Sequence, residues 1–259
     1  MLDRRFIGCA LLATLWLGAS LVSAQCEDAP AQLPNDVVNH QGQLPADKVA
    51  VINEYVAAWV ECLKQDDAEK ISEARGQLLA PLQKGGTAFF SSQYSASVAG
   101  VLGTALDPQQ PMLVRLNAMI VARDLTEAGA VNLIAKGAAD AAPAVRYWAG
   151  NAVCRIVPAA RLNNNFEAQQ VLMKALVDAI AKETDARVTN AMLKGLACLT
   201  DPQAAAKLME VLNARIAVHM RRPGDTLAAE REAIRQLSGN IIQRGADNVP
   251  AETKQQLAR

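Results

Sequence analysis

Three stretches of this chain repeat one local plan, and that plan limits the fold more than any single residue does. Each has a turn carrying an acid or a proline, then an apolar residue beside a polar one, then an alanine-rich stretch. They are Asp107–Ala118, Asp140–Ala149 and Asp185–Ala191. Their markers Ala118, Ala149 and Ala191 stand 31 and 42 residues apart, the length of one helical pair with its turns. A single amphipathic pair cannot bury its apolar face alone. Stacking such pairs builds a continuous core, with polar outer faces at the terminal units.

Composition agrees with helices. The chain is 51% apolar but only 4% aromatic, and 45 of the residues after position 24 are Ala. Ala is the best helix former, whereas strands favour β-branched and aromatic residues. No stretch sustains period-two alternation, so the expectation is all-α with no sheet. The charge is balanced, 26 basic residues against 26 acidic, which argues against a nucleic-acid-binding protein held by a basic footprint.

The apolar periodicity sets out the helices in order. Val49, Ile52, Val56, Trp59 and Leu63 share a face of a helix over 46–64. Asp66 and Glu69 have capping-box spacing before a second helix, with Ile71, Leu78 and Leu82 as its stripe and Gly85-Gly86 as its end. Phe90, Tyr94, Val98, Val101 and Ala105 make the third. Further helices are expected over 111–124, 126–138, 143–157, 166–182 and 185–199. A ninth starts at Asp201-Pro202, and a tenth aligns Leu227, Ile234, Leu237 and Ile241. Gln25 to Pro45 is polar and holds Pro30, Pro34, Gly42 and Pro45 with little periodicity, so it reads as an extended leader.

Met1–Ala24 reads as a secretory signal peptide. Arg4 and Arg5 form the positive n-region, an uncharged apolar run extends from Phe6 to Val22, and Val22-Ser23-Ala24 supplies the small-residue cleavage pattern before Gln25. A transmembrane anchor is the competing reading of that run. Cleavage removes Arg4, Arg5 and Asp3 and leaves 235 residues with a net charge of −1. No second long apolar segment follows, so the mature chain is expected to be exported, to a bacterial periplasm or beyond, without a membrane anchor.

Cys26, Cys62, Cys154 and Cys198 survive cleavage. An even count in an oxidising compartment permits two disulfides in three connectivities. Buried free thiols are the alternative, because Cys packs as a small hydrophobe. The only histidines are His40 and His219, and no CxxC occurs, which disfavours zinc. No HExxH or GxSxG pattern appears. The reading therefore calls for no catalytic residue, no cofactor and no metal.

The segment Asp140–Ala149, an Asp- and Pro-bearing turn followed by Val145-Arg146 and small residues, resembles the turn and second helix of the HEAT-repeat family. The resemblance covers about residues 85–245. It departs from the pattern in two places. Asp107 lies two places further from Arg115 than Asp140 lies from Arg146, and Thr189 stands where the third unit would carry Arg. Residues 46–84 would form an N-terminal cap pair and 246–259 a C-terminal tail. The resemblance implies a right-handed α-solenoid of stacked antiparallel helix pairs that binds other macromolecules more often than it catalyses.

It also implies that Arg115 and Arg146 join a ladder with the turn acids of adjacent units. A basic contact strip on the concave face, near Arg115, Arg146 and Arg187, is the functional alternative. Tyr147 and Trp148 point about 100° apart on a helix, so one packs and the other is a contact candidate. Cys154 and Cys198 fall 14 and 13 residues beyond Asp140 and Asp185, equivalent places on stacked helices, which makes Cys154–Cys198 a candidate disulfide and leaves Cys26–Cys62 to pin the leader.

The expectation is a noncatalytic scaffold for protein–protein interaction, with a protein partner and no nucleic acid. Two rivals stand beside it: an accessory lyase or other enzyme on a helical-repeat scaffold, and a cell-envelope component that binds glycan.

Overall fold

The alanine-rich stripes become helices that pack at close range. The structure, a computed structural model, describes residues 26–159, 162–219, 228, 230–235, 239 and 255. The expected signal segment 1–24 lies outside the described residues, as do Leu227, Leu237 and Ile241 of the tenth helix and all of the tail but residue 255. Among the described residues the chain is all-helical, with no strand. A short α1 (Asn35–Val38) precedes α2 (Ala46–Leu63), α3 (Ala68–Lys84), α4 (Ala88–Leu102) and α5 (Met112–Ala122). Then follow α6 (Ala130–Ala138), α7 (Pro143–Ala159), α8 (Phe166–Ile180), α9 (Ala186–Cys198) and α10 (Pro202–His219). Residues 230–235 are helical as well.

From α2 onward each helix touches the one two further along the chain as well as a sequence neighbour. Thus α3, α5, α7 and α9 contact in series, and so do α2, α4, α6, α8 and α10. One continuous core lies between these two rows. The α5 face shows why: Val114, Ala118, Val121 and the following Leu125 are all completely buried. Each large aliphatic side chain so buried contributes roughly 1.5–3 kcal/mol relative to leaving it in water.

Local chemistry fixes the helix ends. The second helix starts one residue later than the Asp66–Glu69 spacing suggests. Asp67 is its cap, accepting from the backbone N–H groups of Glu69 and Lys70 at 2.9 and 3.2 Å. Thr87 caps α4, Asn165 caps α8 and Asp185 caps α9 in the same way. Gly85 ends α3 with φ of 76°, a left-handed conformation that favours glycine.

Pro81 lies inside α3 and has no N–H to give the Gln77 carbonyl. The Tyr55 hydroxyl, reaching across from α2, donates to that carbonyl at 2.9 Å. A backbone acceptor orphaned by proline is thereby satisfied by a neighbouring helix, and burial pushes the Tyr55 phenol up to about 12. The helix expected over 143–157 runs on to Ala159, so Pro158 sits in the last turn of α7.

The segment 26–45, expected to be extended, is docked on the helices instead. It forms a 3₁₀ turn at Cys26–Asp28 and the single turn α1. Leu33, Val37 and Leu44 insert into the core. The Trp59 indole N–H donates to the Pro30 carbonyl at 2.9 Å, Lys48 pairs with Asp36, and the Thr87 N–H donates to the Val38 carbonyl at 3.2 Å. Leu33, Val37 and Leu44 stand four and seven residues apart, but Pro34 and Gly42 interrupt the segment, so no single helical stripe marks them as core in the sequence.

Cys154 and Cys198 form a disulfide between α7 and α9, with their Cα atoms 5.0 Å apart. The other expected pairing is not formed. Cys26 and Cys62 are both free and buried. Burial, together with hydrogen bonding to Cys26, pushes the Cys62 thiol up to about 12. The two thiols sit as small apolar groups where the first turn rests on α2.

The Cys154–Cys198 bridge closes a span of 44 residues. Its reduction is expected to lower the unfolding free energy by roughly 2–4 kcal/mol. The effect should appear as a lower urea midpoint for the reduced protein, and an unchanged midpoint would mean the bridge constrains nothing.

Candidate functional site

The sequence singles out Arg115, Arg146, Tyr147, Trp148 and Arg187, and the fold divides them between two places. Arg115 and Arg146 go to an ion-pair ladder. Tyr147, Trp148 and Arg187 come together in a groove.

The ladder runs along the starts of α5, α7 and α9. Arg115 reaches Asp140, the turn acid before α7, with Nε to Oδ2 at 2.8 Å and Nη2 to Oδ1 at 3.1 Å. It also donates to the Gln110 carbonyl. The pair is nearly enclosed, with side-chain exposures of 10% and 7%, so little of Arg115 is open to a partner. Asp140 in addition accepts from the Ala142 N–H at 2.7 Å, which ties the turn to its carboxylate.

Arg146 repeats the arrangement one unit later, but its acid is Glu183 rather than Asp185. The two contacts are 2.6 and 3.1 Å. Burial raises the Glu183 carboxyl, but Arg146 and the N–H groups of Asp185 and Thr184 outweigh it, so the net shift is below the ordinary 4.5. Asp185 turns to the other side and pairs with Arg187 of its own helix at 3.0 Å. Its carboxyl falls to about 2 through that guanidinium and the N–H groups it caps.

At α9 the series stops. Thr189 occupies the Arg position and is buried. Asp201, the acid of the following turn, keeps one buried carboxylate oxygen without a hydrogen-bond partner among the described residues. Gln169, fully buried, organises that turn. Its amide donates to the Leu162 carbonyl at 2.7 Å, and its carbonyl accepts from the Asp201 N–H at 2.9 Å.

The groove lies where α5, α7, α9 and the helical stretch 230–235 meet. It encloses about 1050 Å³, and its walls include Leu116, Tyr147, Trp148, Asn190, Lys194 and Glu232. Tyr147 is 39% exposed, while Trp148 is half-buried and packs against the core. The two rings meet edge to face with centroids 6.1 Å apart. The Arg123 guanidinium sits 4.6 Å from the centre of the Trp148 ring, a cation–π contact that holds the indole in place. Arg123 and Arg155 both pair with Asp124, at 3.1 and 2.5 Å. At the opposite wall Arg187 is largely solvated, with 86% of its side chain exposed.

Two asparagines also line the groove. Asn151 on α7 donates its amide to the Tyr147 carbonyl at 3.0 Å. Asn190 on α9 has a buried side-chain oxygen with no hydrogen-bond partner among the described residues. Asn151, Asn190, Lys194, Arg123 and Asp124 carry no sequence signal of their own. Asn151, Asn190 and Lys194 come together because α7 and α9 lie side by side, and Arg123 and Asp124 reach Trp148 and Arg155 because α5 packs on α7. Glu183 was legible in principle, as an acid two places before Asp185 in the same turn. Among the described residues no group of three or more His, Cys, Asp or Glu is placed to hold a metal ion, and no helix is long and apolar enough to cross a membrane.

No protein-family model matches the chain, and no curated protein matches it. Among solved structures the chain is similar to the crystal structure of an engineered protein. The identity is 19% over 88% of this chain and 94% of that one, with a TM-score of 0.49.

Proposed function

We propose that the protein is an exported, noncatalytic interaction scaffold. In this reading its helix pairs stack as a HEAT-like right-handed α-solenoid, and the groove between α7 and α9 receives a protein partner. The observation that carries the reading is the convergence of Tyr147, Trp148 and Arg187, three residues of the types that dominate binding hot spots, on one groove. The two contacting rows of helices favour a stacked-pair architecture. The Cys154–Cys198 bridge suits an oxidising compartment such as the bacterial periplasm. Arg115 and Arg146 belong to the scaffold in this reading, and the contact surface shifts to Tyr147, Trp148 and Arg187.

The test is capture from a cell-envelope extract by the immobilised mature chain, repeated with Tyr147→Ala and Arg187→Glu. Val171→Ala, an exposed position on α8, serves as the control. A defined protein held by the wild type and the control but lost by both groove variants is the expected result. Capture indifferent to the groove variants, or cosedimentation with purified peptidoglycan alone, would overturn the reading.

A further inference from the structure

We infer that Cys26 and Cys62 form a redox latch. The structure holds them as a dithiol in contact, and their oxidation to a disulfide fixes the segment 26–45 on the first helices. The inference is independent of the groove and goes beyond the interaction reading above.

The first observation is contact. Cys26 stands in the 3₁₀ turn Cys26–Asp28, and Cys62 stands in the last turn of α2, against which that turn packs. The two residues are 36 positions apart in the chain, yet their thiols are hydrogen-bonded to each other. A disulfide needs its sulfurs about 2 Å apart, a short step from hydrogen-bond contact.

The second observation is place. Leu33, Val37 and Leu44 anchor the middle and end of the segment in the core, and the Trp59 indole holds the Pro30 carbonyl. Its beginning is a three-residue turn closed by a backbone hydrogen bond from the Ala29 N–H to the Cys26 carbonyl at 3.2 Å. So short a turn opens at low cost. The neighbouring α2 residues Trp59, Cys62 and Leu63 are at most 2% exposed, so opening the turn uncovers apolar surface. A covalent bond at Cys26 supplies the hold that the turn lacks.

The third observation is chemistry. Cys154 and Cys198 are joined, and a setting that sustains that bridge is oxidising. The co-reactant is a disulfide oxidant, carried by a small thiol or by a protein. Cys26 is the more accessible thiol, at 9% exposure against 1% for Cys62. Its thiolate attacks the oxidant, forms a mixed disulfide and expels one oxidant thiolate. Cys62 then attacks the Cys26 sulfur as a thiolate, and the second oxidant thiolate leaves. The pair gives up two electrons and two protons, and the oxidant disulfide takes both to become two thiols. Burial, which pushes the Cys62 thiol up to about 12, suits it to this second, intramolecular step rather than to the first.

The test oxidises the reduced mature chain with oxidised glutathione and maps the non-reduced tryptic digest. Cleavage after Lys48 and Lys64 reads a Cys26–Cys62 bridge as peptides 25–48 and 49–64 joined. Closure of Cys154–Cys198 in the same digest shows that the oxidant acted. Hydrogen exchange over residues 29–40 is followed in the wild type and in Cys26→Ala, each oxidised and reduced. The joined peptides are expected in the wild type. Exchange should be about tenfold slower in the oxidised wild type than in oxidised Cys26→Ala, less than the full effect of a closed loop because the segment is already docked. Under reduction the two proteins should exchange alike. Two results overturn the inference. One is closure of Cys154–Cys198 while Cys26 and Cys62 remain thiols. The other is a difference between wild type and Cys26→Ala that is absent, or is the same in both redox states, which would leave Cys26 as a packing group alone. The wild-type map does not depend on how well the variant folds.

Discussion

Replacing Arg115 with Ala is expected to lower the unfolding free energy by roughly 3–5 kcal/mol, the cost of stranding one partner of a buried ion pair. Asp140 would remain with 7% of its side chain exposed and without its hydrogen-bonded guanidinium, with Arg146 acting on it only at longer range. It would also still be bound to the Ala142 N–H, so it could not turn freely to water. For a domain of this size the loss corresponds to a fall in melting temperature of about 6–20 °C. A double-mutant cycle with Asp140→Ala distinguishes this account from a generic packing loss. The two changes together should cost clearly less than the sum of the separate costs, because neither then leaves an unpaired charge. A cost below about 1 kcal/mol for Arg115→Ala would place the pair with ordinary surface salt bridges instead.

The second large effect is expected where α7 and α9 touch backbone to backbone. A methyl group built on Gly150 would stand 2.8 Å from the Ala191 carbonyl carbon and the Met192 nitrogen. One built on Gly195 would stand 2.5 Å from the Gly150 oxygen. These neighbours are helix backbone and cannot swing aside as a side-chain tip can. Either Gly→Ala change must push the helices apart, just short of the Cys154–Cys198 bridge that ties them together. A loss of about 3 kcal/mol is expected for each, read as a fall of roughly 6–12 °C in the melting temperature. Gly76→Ala in α3 is the control of opposite sign, because a methyl there meets nothing within 4 Å. It should stabilise by about 0.5–1 kcal/mol through helix propensity. Equal effects at all three positions would show that the close approach of α7 and α9 does not limit stability.

The separation of α7 and α9 bears on the candidate site as well as on stability. The groove is bounded by these two helices, so a shift between them moves Tyr147 and Trp148 relative to Asn190 and Lys194. The alanine and glycine content that looks featureless in composition is what allows the aromatic and charged residues of α7 and α9 to line one groove.

Some of this arrangement is legible in the chain. The stripes Ile52–Val56–Trp59–Leu63 and Leu172–Leu176–Ile180 mark helical faces, and those residues are buried. Cys154 and Cys198 lie at similar offsets from their turn acids, and the structure joins them. Other features leave no local mark. The acid that meets Arg146 depends on how the turn after α8 folds, and the choice of Glu183 over Asp185 is settled by which carboxylate caps α9. Leu33, Val37 and Leu44 form no continuous helical stripe, because Pro34 and Gly42 break the segment that carries them. Tyr55 answers a carbonyl that Pro81 orphans in a different helix, a relation invisible until α2 lies against α3.

The sequence by itself determined that the chain is helical, where its turns fall, and which faces are apolar, because periodicity, capping residues and prolines act over a few neighbouring residues. It also placed the Val-Arg pairs Val114-Arg115 and Val145-Arg146 after their turns. Only the tertiary structure decided that Arg115 and Arg146 are enclosed in ion pairs while Tyr147, Trp148 and Arg187 share a groove. It likewise decided that Cys154 and Cys198 meet while Cys26 and Cys62 stay free. The physical reason is distance along the chain. Tyr147 and Arg187 lie on different helices, and their relation is set by how closely Gly150 and Gly195 let those helices approach, which no local pattern encodes.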